Sequence, residues 1–400
     1  MMKKQQTNDV IIMGGGMVGA ATALALTQLG LYVSLIEPNP VKRDFDTNSP
    51  YSLRISAIQR SSEKLLKSLD VWDAILARRV LAFTDMHIQD WQGFHNQLSA
   101  HNLHEPNLGH IIENDVMTAA LWDKLIDNEY CQIIVSNAIN ATRDVQGHWQ
   151  LTLANETQLS APLLIGSDGA HSQVRTWLNL SQDINDYQQH CIVGNVRTEK
   201  PHQHTCWQHY REQAPFALLP LTEHTCSIAW YVTPEEAQNY CAASPQEQAE
   251  AMSKASEYML GALFPISELQ AFPLIRRQTE HYAQPNTLLI GDAAHTVHPQ
   301  AGQGVNLGLL DVIALRDVFK HALRYGQPIH DLRVLSRIER ARKHDATLVQ
   351  KSMEGLNWLF SDTMLTNNMR KISQPFANNP IITTLLTESA LQGRLTGLAL

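Results

Sequence analysis

The sequence predicts an α/β protein in which a nucleotide-binding domain, assembled from discontinuous segments, carries an inserted β-sheet domain and ends in helices. Three observations predict it. The chain opens on a glycine-punctuated strand–helix–strand run; two later apolar strands end in Gly166-Ser167-Asp168 and Gly291-Asp292; and the residues between those strands change to short alternating segments.

In order along the chain, Val10-Ile11-Ile12-Met13 reads as a buried strand, Met17 to Leu29 as an Ala/Leu-rich helix, and Tyr32 to Ile36 as a second strand ending at Glu37. A polar, turn-rich stretch to Pro50 precedes an amphipathic helix near Ser61 to Leu69. Residues from about Ala82 to Gly109 alternate aromatic and polar types, the pattern of strands and loops facing a substrate, and Glu113 to Asn128 reads as a helix. Leu163-Leu164-Ile165 is a buried strand running into Gly166. From about Asp186 to Tyr282 alternation dominates, as in Cys226-Ser227-Ile228-Ala229-Trp230-Tyr231, interrupted by a helical stretch around Pro245 to Leu260. Thr287 to Ile290 returns to the buried-strand style, and from Val305 the chain is mostly helical. The expected division is 1–80, 105–180 and 283–400 for the nucleotide domain with its C-terminal helices, and 81–104 with 181–282 for the β-rich substrate domain.

Composition narrows the partners. With 400 residues, 44% hydrophobic and 18% charged, the chain is long enough for two domains with sizeable cores. The net charge is −8 and Lys and Arg form no run longer than two, which excludes a nucleic-acid footprint. Five cysteines without a CxxC pair read as reduced thiols. Lys3 and Lys4 before an apolar stretch imitate a secretory signal, but three glycines interrupt that stretch at a spacing with its own purpose. The expected location is the cytoplasm, with peripheral contact at the inner face of the membrane as an open alternative.

That purpose is ligand binding. Gly14-Gly15-Gly16-Met17-Val18-Gly19 matches GxGxxG between a strand and a helix. Gly14 allows the tight turn, Gly16 lets a pyrophosphate approach the backbone, and Gly19 lets helix and strand pack closely; Glu37 is placed to accept hydrogen bonds from a ribose. The motif alone leaves FAD and NAD open. Two later segments choose. Leu163 to Arg175 reads LLIGSDGAHSQVR, with Asp168, Ser172 and Arg175 after the strand. Leu288 to Asp311 reads LLIGDAAHTVHPQAGQGVNLGLLD, where Asp292 can hold a ribityl hydroxyl and the Gly302-Gln303-Gly304 turn aims backbone N–H groups at a ligand that gains negative charge on reduction, as a flavin does.

These three motifs in this order resemble the class A flavoprotein aromatic monooxygenases, whose Rossmann-like FAD-binding fold is that of para-hydroxybenzoate hydroxylase. Within that class the chain resembles the ubiquinone-biosynthesis hydroxylases over essentially its whole length, through Leu53 to Ile58, Gly109 to Asn114, Asp292 to Gly308 and Arg340 to His344. Ser62 to Leu66 and Pro234 to Gln238 look most like the member that hydroxylates C5 of a polyprenylphenol. The resemblance implies that Gly14, Gly16, Met17, Val18, Gly19 and Glu37 bind the ADP half of FAD, that Arg54 lies on the flavin side, that Asp292 holds the ribityl chain, and that Gly302, Gln303, Gly304, Val305 and Asn306 line the isoalloxazine with Pro299 nearby. Asp168 belongs to a motif associated with both FAD and NAD(P)H, and His171 stands where Asn is expected. The implied chemistry is attack of an electron-rich phenol on a flavin C4a-hydroperoxide formed with O2, so the protein orients the ring and excludes water. NAD(P)H, without a second GxGxxG, would bind transiently. A sister hydroxylase for another ring position or for a small phenolic acid is the near alternative, and a non-catalytic flavin-binding subunit of a ubiquinone-biosynthesis assembly the distant one.

No side chain is expected to be a certain catalytic group. His295, His298 and Pro299 are candidates from their place in the flavin motif, with a structural hydrogen bond as the equal alternative for the histidines. His87, His95, His101, His104 and His110 lack a metal-ligand spacing, so no metal is expected. Trp207, Phe216, Trp230 and Tyr231 are pocket candidates for which sheet core is the default, Arg276 and Arg277 could meet NAD(P)H, and Gln350 to Leu400 could carry a membrane-surface or partner-binding helix.

Overall fold

The computed structural model describes residues 8–211, 215–296 and 303–360, together with 363, 366 and 369. Strand β1 (Val10–Met13), helix α1 (Met17–Thr27) and strand β2 (Val33–Glu37) form the opening βαβ unit. They sit in a six-stranded sheet ordered Ala283–Gln284, Thr287–Leu289, Leu163–Gly166, β1, β2, Cys131–Val135. Every pairing in it is parallel except the first.

All four β1 residues are apolar because both faces are covered. Val10 and Ile12 pack with Ala20, Leu24 and the helices, whereas Ile11 and Met13 pack with Trp149, Leu151 and Leu153 of an antiparallel meander, Ala138–Arg143, Trp149–Leu153 and Gln158–Ala161. The sequence analysis assigned no elements to this stretch. The run of Ala20, Ala21, Ala23 and Ala25 on α1 is buried throughout, the small side chains letting helix and sheet approach closely.

The second layer is a nine-stranded sheet. Its spatial order is His295–Thr296, Gln270–Thr279, Gln182–Thr198, Thr225–Val232, Pro215–Thr222, Thr205–Tyr210, Asp85–Asp90, His95–Ser99, with Leu263–Pro265 pairing to Gln182–Thr198. Alternation divides its faces. Ile192, Phe216, Leu218, Ile228 and Trp230 pack under the helices Pro234–Ala242 and Pro245–Ala255, and their neighbours Cys191, Ala217, Ala229 and Tyr231 look the other way, toward the first sheet. Both helices start with a capping box, Thr233 with Glu236 and Ser244 with Glu247, and the first of them was not anticipated from sequence. The second ends at Ala255, short of the expected Leu260, because Glu257 and Tyr258 turn to positive φ.

Helices Gln303–Arg324 and Leu332–Leu359 close the fold, the first against α1 and the second across both sheets. Among the described residues no helix is long and apolar enough to cross a membrane.

The tightest joint is where α1 leaves β1. A Cβ on Gly19 would lie 1.8 Å from the Gly14 carbonyl oxygen, a backbone atom with nowhere to go. Gly19→Ala is therefore expected to destabilise the protein by about 3 kcal/mol or more, read as a lowered urea midpoint, or to prevent accumulation of folded protein.

Candidate functional site

Between the two sheets lies a cleft of about 630 Å³, partly open to solvent. The turn after β1 forms one end of it. Gly14 takes φ +96°, where an L side chain is strained, and a Cβ there would meet the Ser167 carbonyl at 2.5 Å. The Gly15 N–H donates to Glu37 Oε2 at 2.6 Å, and Trp122 Nε1–H donates to the Gly15 carbonyl at 2.7 Å. Glu37 thus holds the turn, its other oxygen accepting the Asn39 N–H at 3.1 Å.

Gly16 is different in kind. Its φ of −66° suits any residue, it is exposed, and among the described residues a Cβ added there meets no atom within 4 Å. Neither the fold nor the backbone demands glycine at this position. What glycine leaves is open space at the N-terminus of α1, which has no side-chain cap and no acidic residue in its first turn. An uncapped helix end whose first residues, Met17 and Val18, line the cleft offers the unpaired N–H groups and positive dipole end that suit an anion. In the helix Gln303–Arg324, which packs beside α1, Gly304 and Val305 also line the cleft, and among the described residues no atom lies within 4 Å of a Cβ added at Gly304. These two open positions fit a dinucleotide carrying a flavin.

Asp168 and Asp292 part company. Asp168 does not line the cleft: it caps the short helix Gln173–Trp177, Oδ1 accepting from Ser172 Oγ at 2.6 Å and Oδ2 from the Gln173 N–H at 2.7 Å. That shapes the loop whose Gly169, Ala170 and His171 do line it. Arg175 ties this loop to the opposite one, donating to Ala170 O at 2.8 Å and to Ala293 O at 3.0 Å. Asp292 reaches the cleft itself, where its side chain is exposed and Arg54 and Arg277 also line the wall. Arg54 lies over the Phe272 ring at 4.3 Å and also lines the cleft.

Two motif residues turn away from the cleft, His295 taking the structural hydrogen bond that was one of its two expected roles. His295 is not a cleft residue: it is 1% exposed, and its Nε2 is 2.7 Å from Asp311 Oδ2. The same carboxylate accepts the Gly291 N–H at 2.9 Å and Arg342 Nε–H at 2.8 Å, so His295 helps anchor the Gly291-Asp292 turn from behind. Asn306 likewise turns inward. Its Nδ2 donates to Ala57 O at 2.7 Å and its Oδ1 accepts from Gln59 N–H at 3.1 Å and Ser62 Oγ at 2.8 Å, clasping the helix Gln303–Arg324 to Ile55–Gln59 and Arg60–Ser68. The sequence motif names both residues without saying which side of the backbone they take.

His298, Pro299 and Gly302 lie outside the described residues, and Gln303 opens the helix that follows them. Of the aromatic candidates only Tyr231 lines the cleft; Phe216 and Trp230 are core on the helix-covered face, and Trp207 packs against it. Arg277 lines the cleft, whereas Arg276 pairs with Asp183 at 2.8 Å. Phe360 stacks on Tyr210 at 3.8 Å, which packs the end of the helix Leu332–Leu359 onto the large sheet. Sequence reasoning assigned no role to Asp311, Arg342 and Trp122; for Asp311 the signal was a charged residue in a run that is otherwise helical core, whereas Arg342 is hidden in a run of charged residues.

The chain matches the model of the FAD binding domain family over residues 7–342. It belongs to that family. A curated relative from Escherichia coli, 3-demethoxyubiquinol 3-hydroxylase, is 38% identical over 87% of this chain and 89% of its own length. Ubiquinone biosynthesis monooxygenase COQ6 of Drosophila melanogaster is 30% identical over 88% of this chain and 83% of its own. The chain is thus a class A flavoprotein monooxygenase of the ubiquinone-biosynthesis type. Among solved structures, p-nitrophenol 4-monooxygenase from Pseudomonas putida superimposes with a TM-score of 0.77 at 17% identity, covering 96% of this chain and 98% of that one, which establishes the shared fold.

The buried Asp311 gives the site an acid limit. Burial alone would raise its carboxyl, but His295 and Arg342 outweigh that and bring it down to about 2. An unfolded Asp titrates near ~3.9, so the Asp311 contribution is complete above about pH 4 and is lost as pH falls toward about 2. Asp311→Asn is expected to be markedly less stable at neutral pH, with the gap to wild type closing across that window in urea titrations at successive pH values.

Proposed function

We propose that this chain hydroxylates the aromatic ring of a polyprenylphenol intermediate of ubiquinone biosynthesis, with FAD as cofactor, NAD(P)H as reductant and O2 as the oxygen source. The observation that carries the reading is that two glycines, Gly16 and Gly304, at the N-terminal ends of two neighbouring helices, line one cleft with no described atom within 4 Å of an added Cβ, in a chain 38% identical to a demethoxyubiquinol hydroxylase. The residues proposed to hold FAD are Gly14, Gly16, Met17, Val18 and Gly19 at the pyrophosphate, Glu37 toward the ribose, Asp292 at the ribityl chain, and Gly304 with Val305 beside the flavin. Arg54 lies on the flavin side. Asp168, His295 and Asn306 serve as positioning residues, through the loops they hold. His298, Pro299, Gly302 and Gln303 complete the proposed flavin loop.

FAD, when bound, supplies the oxygen-transfer chemistry. The chain's part is to bind, orient and keep water out. Apolar residues of the large sheet, among them Val193, Leu219 and Leu274, line the cleft opposite the α1 N-terminus and exclude water from the space between. The proposed domain division follows the two sheets, with 81–104 and 181–282 as the substrate domain, and the C5 position of the ring is the proposed target. NAD(P)H would approach through the open side of the cleft, where Arg277 is available.

Purified protein given FAD, NAD(P)H, a short-chain prenylphenol and 18O2 is expected to yield a monohydroxylated product carrying one 18O, at C5 by NMR. Absence of product, or an unlabelled hydroxyl, would contradict the reading. Gly16→Val is expected to fold, with apoprotein stability changed by about 1 kcal/mol or less, yet to purify without FAD; a variant holding its full complement of FAD would remove Gly16 from the site.

A further inference from the structure

On the cleft-facing side of the large sheet, hydrogen-bonded register sets Val193, Ala229, Ala217 and Gln208 in one row across four strands. The middle of that row is two alanines side by side. Both are partly exposed and line the cleft, whereas Phe216, Leu218, Ile228 and Trp230, their neighbours along the same strands on the helix-covered face, are 0–1% exposed. A partly exposed methyl group in the centre of the sheet marks a hollow above it. Neighbouring strands lie about 4.8 Å apart, so the two methyls make a flat apolar floor about as wide as one aromatic ring.

The hollow has unlike edges. Leu219 borders it along one strand and Tyr231 along the other, each two residues from an alanine and on the same face. Gln208 closes the end of the row; it is 8% exposed, its amide bonds the Tyr210 phenol, and it is the one amide among the described sheet residues that line the cleft. An amide has donor and acceptor capacity beyond a single bond. A flat apolar seat with one fixed polar group at its rim is the arrangement that orients a planar ring bearing an oxygen substituent.

We infer that the Ala217–Ala229 floor seats the aromatic ring of the substrate and that the Gln208 amide meets a ring oxygen, which makes these three residues the determinants of ring recognition. The inference rests on the hydroxylase reading and adds to it the place of the ring. Side-chain size at positions 217 and 229 sets how thick a ring is admitted, and position 208 sets the preference for a phenol over a plain arene.

The test uses the FAD-loaded enzyme and equilibrium binding, followed by the change in flavin absorbance, with 2-prenylphenol and prenylbenzene as probes. Wild type is expected to bind 2-prenylphenol about ten-fold more tightly than prenylbenzene. Ala229→Leu is expected to keep its FAD and melting temperature and to bind 2-prenylphenol about ten-fold or more weakly; Ala217→Val, with a β-branched residue that strands favour, serves as the second variant should Ala229→Leu not fold. Gln208→Leu is expected to bind the two probes alike. Unchanged binding in the alanine variants, or unchanged discrimination in Gln208→Leu, overturns the assignment. So does a folded Ala229→Leu protein that has lost FAD, since the floor would then belong to the cofactor. Failure of wild type to bind 2-prenylphenol at all fails the hydroxylase reading itself, and the seat with it.

Discussion

The whole site depends on how closely α1 packs against β1. Only a residue without a side chain can stand at Gly19, because the Gly14 carbonyl occupies the space of its Cβ. That contact fixes the axis of α1 relative to the sheet, and with it the direction in which the uncapped N-terminus points. The Glu37 carboxylate and the Trp122 indole then clamp Gly15 between them, so the turn is held by a strand on one side and a helix on the other. At Gly16, one residue on, the place of a Cβ is clear of every described residue, and that free space is what a phosphate group needs.

The Gly291-Asp292 turn, beside the first turn of α1, is organised by one carboxylate. Asp311 collects the Gly291 N–H, the His295 imidazole and the Arg342 guanidinium, three groups that come from the strand end, the following turn and the last long helix. A buried charge with this many partners is costly to leave unmatched, so breaking any of them is felt by all. The consequence for the site is that Asp292 is presented by a turn anchored from behind. Arg175 adds the link across to the Ala170 loop, so the two motif loops that border the cleft are joined to each other by a buried side chain as well as by the sheet.

What could be read from sequence follows the range over which its causes act. The βαβ unit and its glycines were legible because each glycine answers to a backbone geometry a few residues away, and β1, α1 and β2 form close to the expected positions. The helices at Arg60–Ser68 and Asn114–Ile126 were legible from periodicity. The meander between Ala138 and Ala161 was passed over, since its alternation is short and its partner is the underside of the first sheet. His295 and Asn306 show the limit of motifs: residue and position are given, but whether a side chain faces ligand or core depends on its partner, Asp311 at the end of the same motif for His295, and Ala57 and Ser62, far along the chain, for Asn306. The alanine floor lies beyond that limit, because Ala217 and Ala229 become neighbours only through strand register.

The most direct test of this account is a crystal structure of the protein with FAD bound. It predicts the pyrophosphate within hydrogen-bond reach of backbone N–H groups in the first turn of α1, over Gly16, with the flavin running past Asp292 toward Gly304. A pyrophosphate bound elsewhere, with the α1 N-terminus facing only water, would contradict the claim that the open glycine at position 16 exists for the cofactor.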